Sequence, residues 1–106
     1  MSWFYLVLAG ILEIGWPVGL KLAQSPATRW QGIAMAVLLM AASGVFLWLA
    51  QRQIPIGTAY AVWTGIGALG AAILGMLLFG ESHAPLRLLS LFLIVVGIVG
   101  LKWTVA

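Results

Sequence analysis

The chain has 106 residues, of which 64% are hydrophobic and 7% charged, and its formal net charge is +3. So apolar a composition excludes an ordinary soluble domain and predicts an integral membrane protein. Because the chain has no cysteine and one histidine, we expect no disulfide, no metal site and no cofactor. The five Lys and Arg residues are scattered rather than clustered, so we do not expect nucleic-acid binding.

Four apolar segments follow one another along the chain and predict an all-α membrane protein with four transmembrane helices. The breaks between them contain proline, glycine and polar residues, which favour turns. Each segment is close to the length of about 20 residues that spans a bilayer, and the short breaks make neighbouring helices antiparallel. We expect one four-helix transmembrane domain over residues 1–106, with spans at 3–22, 30–50, 56–79 and 86–105.

The first segment contains a single carboxylate, Glu13, in the middle of an apolar run. Counting about 1.5 Å per residue from Trp3 places Glu13 about 15 Å deep, near the midplane of a hydrocarbon core about 30 Å thick. A charge there costs at least about 2.5–3.5 kcal/mol, which makes Glu13 a functional-site hypothesis. The alternative is a neutral, hydrogen-bonded structural glutamic acid. If the site faces alternate sides of the membrane, competition for this carboxylate couples proton uptake to cation release.

On a helix, Glu13 shares its face with Ala9, Gly10, Trp16 and Pro17. Gly10 is expected to leave space beside the carboxylate, and Trp16 supplies a flat ring with one N–H donor. Pro17 lacks the N–H that would bond the Glu13 carbonyl, so we expect a kink and a freed carbonyl that helps to bind a cationic donor. The alternative is a tolerated kink in which a neighbouring helix supplies the hydrogen bond that the freed carbonyl lacks.

Side chains of the second and third segments are expected at depths close to that of Glu13. Counting from the span ends puts Trp63 about 12 Å and Ser43 about 10 Å from the side that carries both termini. Tyr60 shares a helical face with Trp63. An aromatic box around a carboxylate suits a flat, weakly hydrated organic cation. The alternative is that these aromatic rings face lipid or pack between helices.

The glycine-rich run at residues 65–70 matches the glycine pattern of a dinucleotide-binding loop, but no strand precedes it. Gly65 and Gly67 instead predict close helix packing or a flexible bend. On the fourth segment, Ser90 and Gly97 form a stripe of small residues suited to helix pairing. Packing within the chain is the alternative for this stripe.

Basic residues are nearly balanced across the predicted membrane. The side with both termini carries two basic residues, Arg52 and Lys102. The opposite side carries three, Lys21, Arg29 and Arg87. So small a bias predicts insertion in both orientations, which permits an antiparallel homodimer whose two Glu13 side chains lie level. The alternative is that the one extra charge fixes a single orientation. Glu81, in the third break, is expected to be solvated.

Three stretches of the sequence carry a resemblance to a known family. They are Glu13 followed by Trp16, the run PIGTAYAVWTGIGA at residues 55–68, and the ending GIVGLK at residues 97–102. Together they resemble the small multidrug resistance transporters, most closely the guanidinium-exporter branch. The resemblance covers essentially the whole chain.

This resemblance implies an antiparallel homodimer in the bacterial inner membrane that exchanges protons for guanidinium or guanidinyl compounds. It implies that Glu13 is the shared proton and substrate site, with Trp16 and Ser43 hydrogen-bonded to its carboxylate. Trp63 would line the pocket, and Tyr60 would link the substrate to helix movement. Because no second catalytic group accompanies Glu13 at a recognisable spacing, we expect no enzyme.

Pro17 stands where typical guanidinium exporters carry a small residue other than proline. A kink one turn from Glu13 leaves room for hydrophobic cations or substituted guanidines. Two alternatives to guanidinium export therefore stay open. One is a broad quaternary-ammonium exporter, whose substrate has no N–H and relies on aromatic faces. The other is a non-transporting membrane subunit that scaffolds a partner or works only as half of a heterodimer.

Overall fold

The computed structural model describes residues 1–104 of the chain. Within that range it consists of four α-helices and a short 3-10 turn, with no strand: α1 Ser2–Leu22, the turn Pro26–Thr28, α2 Arg29–Ala50, α3 Ile56–Leu78 and α4 Pro85–Trp103. The predicted all-helical architecture with four apolar helices is confirmed. The predicted end of the fourth span, at Val105, lies outside the described residues.

Each helix is long and apolar enough to cross a membrane. The helices have 19 to 23 residues, which at about 1.5 Å per residue gives lengths of about 28–35 Å. This matches a hydrocarbon core about 30 Å thick. Because lipid offers no hydrogen-bond partner, a helix satisfies its own backbone there. The chain is therefore a multi-pass membrane protein.

The end of α3 is formed by a glycine turn. The N–H groups of Phe79 and Glu81 both donate to the Gly75 carbonyl, at 3.0 and 3.1 Å. Gly80 between them has φ 68°, in the left-handed region that a residue without Cβ adopts at little cost. The turn brings Glu81 back alongside the last turns of α3, and α4 then begins at Pro85.

The two inner helices are α1, which packs against α2 and α3, and α3, which packs against α1 and α4. At the crossing of α1 and α2 the backbones nearly touch: a Cβ added at Gly19 would lie 2.7 Å from the Gly32 carbonyl oxygen. Such close approach of small residues is typical of helix packing in membranes. In the half of the molecule near the N-terminus, a buried apolar cluster joins the helices, made of Leu6, Ala50, Ile54, Ala59 and Val62.

The fourth helix lies at the edge of the molecule, and no residue within Pro85–Trp103 is buried. It contacts α3 at Gly65, where an added Cβ would lie 2.8 Å from Ile98 Cδ1. Ser90 Oγ donates to its own helix, to Leu86 O at 2.8 Å, and Gly97 faces open space. The small-residue stripe of α4 is therefore left unused by packing within the described part of the chain.

Contacts near the helix ends define two sides of the molecule. Lys102 Nζ lies 5.2 Å from the centre of the Trp3 ring, and Ser2 Oγ donates to Gln53 Oε1 at 2.8 Å. The start of α1, the end of α4 and the α2–α3 loop are therefore on one side, here called the terminal side. The helices together form a slab with extents of 48 × 34 × 16 Å.

Candidate cation-binding site

Glu13 lies in the middle of the 21-residue helix α1, eleven residues after Ser2 and nine before Leu22. At about 1.5 Å per residue it is about 16 Å from the start of the helix, roughly halfway along it. The helix continues through Pro17, so the predicted kink does not interrupt it. Because Pro17 has no N–H, the Glu13 carbonyl lacks its helical donor.

One oxygen of the Glu13 carboxylate is held by an indole. Trp16 Nε1 donates to Glu13 Oε1 at 2.5 Å, a contact that follows from their spacing of three residues on one helix. Hydrogen bonds to an ionised carboxylate are short and strong, so the bond fixes the side chain. The other oxygen, Oε2, accepts no hydrogen bond from residues 1–104 and remains to bind a ligand.

The glycines of α3 allow α1 to approach closely at this depth. A Cβ added at Gly67 would lie 2.6 Å from Glu13 Cγ, so Glu13 lies directly against the α3 backbone. The expected free space at Gly10 is absent, because Ile66 fills it and an added Cβ would lie 2.8 Å from the Ile66 side chain. The room beside the carboxylate therefore comes from Gly67, for which the sequence predicts a role in helix packing or bending.

A second hydrogen-bonded pair ties α2 and α3 to α1. Ser43 is fully buried; its Oγ donates to Ala9 O at 2.7 Å and accepts from Trp63 Nε1 at 2.8 Å. A hydroxyl group has one proton to donate, and here Ala9 receives it. The expected Ser43–Glu13 hydrogen bond is therefore not formed, and Ser43 fixes the Trp63 ring against α1 instead.

Tyr60 and Trp63 form an aromatic pair on α3. Their ring centres are 5.3 Å apart and their planes are inclined by 44°. Trp63 is one turn before Gly67, so its ring is on the face of α3 that meets Glu13. Tyr60 is 56% exposed and continues this aromatic surface away from the carboxylate, toward the terminal side.

On the other side of Glu13, a cavity of about 180 Å³ opens between α1 and α3. Pro17 lies at its inner end, and its two polar lining residues are Lys21 and Glu81. Glu81 differs from the expectation of a merely solvated side chain. It packs against Gly75 and pairs with Arg87, whose Nη2 is 2.6 Å from Glu81 Oε1.

The arrangement as a whole is a half-buried carboxylate halfway along a helix of membrane-spanning length, with one oxygen unpaired and indole rings nearby. It is typical of a membrane transport protein that binds a small cation or a proton at the centre of the bilayer. The site is made of α1, α2 and α3, and α4 contributes none of its hydrogen bonds.

Comparison with known proteins agrees with this class. The family described as Small Multidrug Resistance protein matches residues 1–94. The guanidinium exporters of Citrobacter freundii and Salmonella typhimurium are each 55% identical to the chain over 102 residues, covering 96% of both sequences. The guanidinium exporter of Escherichia coli (strain K12) is 50% identical over the same length and coverage.

The chain therefore belongs to the small multidrug resistance family, as its sequence predicts, and it is a transporter rather than an enzyme.

Proposed function

We propose that this chain is a proton-coupled antiporter that exports guanidinium and guanidinyl compounds across the bacterial inner membrane. The observation that carries the proposal is the Glu13 carboxylate in the middle of α1, with Oε1 held by Trp16 and Oε2 unpaired. The guanidinium exporters that share 50–55% of its residues support the class of substrate.

Guanidinium fits this site because it is flat, cationic and rich in N–H donors. A planar guanidinium pairs with a carboxylate through directed hydrogen bonds and stacks on aromatic faces. In the proposed complex its N–H groups donate to Glu13 Oε2, while Trp63 and Tyr60 offer ring surface on one side. Ser43 acts indirectly in this arrangement, since its hydrogen bond to Trp63 Nε1 sets the position of that ring.

Coupling follows from the fact that the site has one carboxylate. A proton on Glu13 removes the negative charge that attracts a cation, and a bound cation in turn disfavours the proton. If the site opens alternately to the two sides of the membrane, proton binding on one side releases guanidinium there. No other titratable group is required for the exchange.

Five features support an antiparallel homodimer as the working unit. A slab 16 Å thick is too thin to surround a polar site on all sides. No residue within Pro85–Trp103 is buried, and Ser90 and Gly97 leave a small-residue face for a partner helix. The near balance of basic residues permits both orientations, and Glu13 at mid-depth stays level with its inverted copy.

The test is transport current from proteoliposomes on solid-supported membranes. We would compare guanidinium, methylguanidinium, phenylguanidine and tetrapropylammonium, each at several pH values. We expect current for guanidinium, an apparent KM that rises as pH falls because protons compete for Glu13, and no current in Glu13→Gln. A guanidinium current that does not depend on pH, or that persists in Glu13→Gln, would refute coupling through this carboxylate.

The same experiment separates the alternative functions. Comparable current for tetrapropylammonium would identify a broad cation exporter, and Pro17→Ala would then test whether Pro17 widens the site. If none of the four cations gives a current, the alternative that the chain is one half of a heterodimer is favoured. In that case, coexpression with a second small membrane subunit would restore transport.

A further inference from the structure

The cavity between α1 and α3 is separate from the site at Glu13 and carries its own carboxylate. It lies toward the side opposite the terminal side, and its volume of about 180 Å³ corresponds to about six water molecules at about 30 Å³ each. That is ample for guanidinium, which has four non-hydrogen atoms. Its walls are apolar at the inner end, at Pro17, and polar at the mouth, where Lys21 and Glu81 lie.

The carboxylate of Glu81 already binds a guanidinium group, that of Arg87. The two meet through a single hydrogen bond, from Arg87 Nη2 to Glu81 Oε1 at 2.6 Å. Glu81 Oε2 accepts no hydrogen bond from any described residue, and the buried Nε of Arg87 has no partner among them either. Arg87 thus uses one of its donors, whereas the strongest guanidinium–carboxylate pairs use two in parallel.

The aromatic wall of the cavity also attracts cations. Lys21 Nζ lies 5.8 Å from the centre of the Phe79 ring, within the range of a cation–π contact. Lys21 and Arg87 carry two positive charges and Glu81 carries one negative charge. A further cation is therefore held weakly unless it displaces Lys21 or Arg87. Weak binding is required of an intermediate binding site on a transport route, here called a station, because a tightly bound cation would not move on.

Glu81 and Glu13 lie against the same face of α3. Glu13 packs on Gly67 and Glu81 packs on Gly75, eight residues further along the helix, which is about 12 Å. Between them Ile14 contacts Gly70, and the cavity occupies the outer part of this seam. The seam between α1 and α3 therefore has a carboxylate at mid-membrane and another at its mouth.

The geometry points to Glu81 as a second guanidinium-binding carboxylate, a station at the mouth of the α1–α3 seam that Arg87 occupies when no substrate is present. This inference rests on the proposed function, and it assigns guanidinyl cations to the cavity as well as to Glu13. A substrate guanidinium binds Glu81 by taking the unpaired Oε2 and displacing the single hydrogen bond of Arg87.

Transport kinetics test the station. We expect Glu81→Gln to raise the KM for guanidinium up to about fivefold, the range that an exposed ion pair covers, with little change in maximal current. Arg29→Ala, which removes an exposed charge on the same side, should leave KM unchanged. The double variant Glu81→Gln/Arg87→Gln leaves no unpaired charge, and it should keep the raised KM. A normal KM in this double variant would overturn the inference.

Binding to Glu81 can be measured without transport. In Glu13→Gln protein in bicelles, we expect a saturable shift of the Arg87 Nε–H resonance with guanidinium, at an ionic strength held constant with NaCl. The shift should be absent in Glu13→Gln/Glu81→Gln. If wild-type protein carries no guanidinium current, the proposed function fails, and this titration still decides the inference. If transport is normal and no saturable shift occurs, the station is refuted and Glu13 remains the one binding carboxylate.

Discussion

At the scale of single residues, the site depends on hydrogen bonds that fix side chains rather than on a large number of polar groups. Trp16 holds Glu13, and Ser43 holds Trp63. The donors in both pairs are indole N–H groups, which cannot act as acceptors. Each indole therefore orients its partner without taking a proton from it, which leaves Glu13 as the proton-binding group in the proposed exchange.

Replacing Trp16 by Phe keeps an aromatic ring and removes the donor to Glu13. A hydrogen bond to a charged group contributes about 1.5–3 kcal/mol, so we expect the KM for guanidinium at neutral pH to rise about tenfold or more. The increase should shrink as pH is raised, because the carboxylate is then ionised with or without the indole. Trp30→Phe is the control, since Trp30 is 76% exposed. An equal effect of both variants would contradict the assignment.

Ser43→Ala should lower the free energy of unfolding by about 1–3 kcal/mol, because the Trp63 N–H loses its acceptor in a buried place. Thr104→Ala is a matched control: Thr104 Oγ1 also donates to a backbone carbonyl, that of Leu101 at 2.7 Å, but it is exposed. For it we expect a change within about 0.5 kcal/mol. The measurement is equilibrium unfolding in mixed detergent micelles. Similar losses in the two variants would show that burial of the Ser43 network is unimportant.

At the scale of the helices, glycines on α3 decide how close α1 comes. Gly67 admits the Glu13 side chain, and Gly65 admits Ile98 of α4. These residues lie two positions apart and so on different faces of the helix. A single glycine-rich stretch therefore receives the site helix on one face and the edge helix on another.

Gly67→Ala should abolish guanidinium current while the protein remains folded. An added Cβ would lie 2.6 Å from Glu13 Cγ, so the carboxylate has to move away from Trp16. Gly57→Ala, on the same helix but with open space around it, should transport normally. Circular dichroism and gel filtration of both variants check folding. Normal current in Gly67→Ala would show that the Glu13 side chain does not need its place against α3.

Sequence reasoning predicted the helices well, because proline, glycine and polar breaks separate the apolar segments. It also predicted the Glu13–Trp16 contact, since residues three apart on one helix are neighbours. It did not predict the partner of Ser43 or the neighbour of Gly10, because depth along a span can be counted whereas rotation of one helix about its axis depends on packing. Glu81 was missed for a related reason: the Gly80 turn folds it back onto α3.

At the scale of the whole molecule, the charge distribution permits both orientations and the shape leaves a face for a second copy, as the proposed antiparallel homodimer requires. Two basic residues on the terminal side against three on the other give the insertion machinery almost no preference. A thin slab with an unburied α4 leaves apolar surface for a second copy. Neither feature depends on the residues of the cation site.

Orientation can be measured directly because the chain contains no cysteine. In a Ser25→Cys variant in sealed vesicles, a membrane-impermeant maleimide should label about half of the copies before permeabilisation. Adding Arg52→Ala leaves one basic residue against three, and should move the labelled fraction toward zero or completeness. Labelling of all or of none of the Ser25→Cys copies would establish a single orientation, and the antiparallel homodimer would then be untenable.

The bare fourth helix has a consequence for how such chains diverge. Since no residue within Pro85–Trp103 is buried and the site hydrogen bonds lie on the other three helices, substitutions on the outer surface of α4 leave the chemistry of the site intact. If the working unit is the proposed homodimer, paired through α4, two copies that arise by gene duplication can become mutually selective through changes in α4 while both keep Glu13 and its indole. Selectivity for the partner chain and selectivity for the substrate can in this way evolve separately within one short gene.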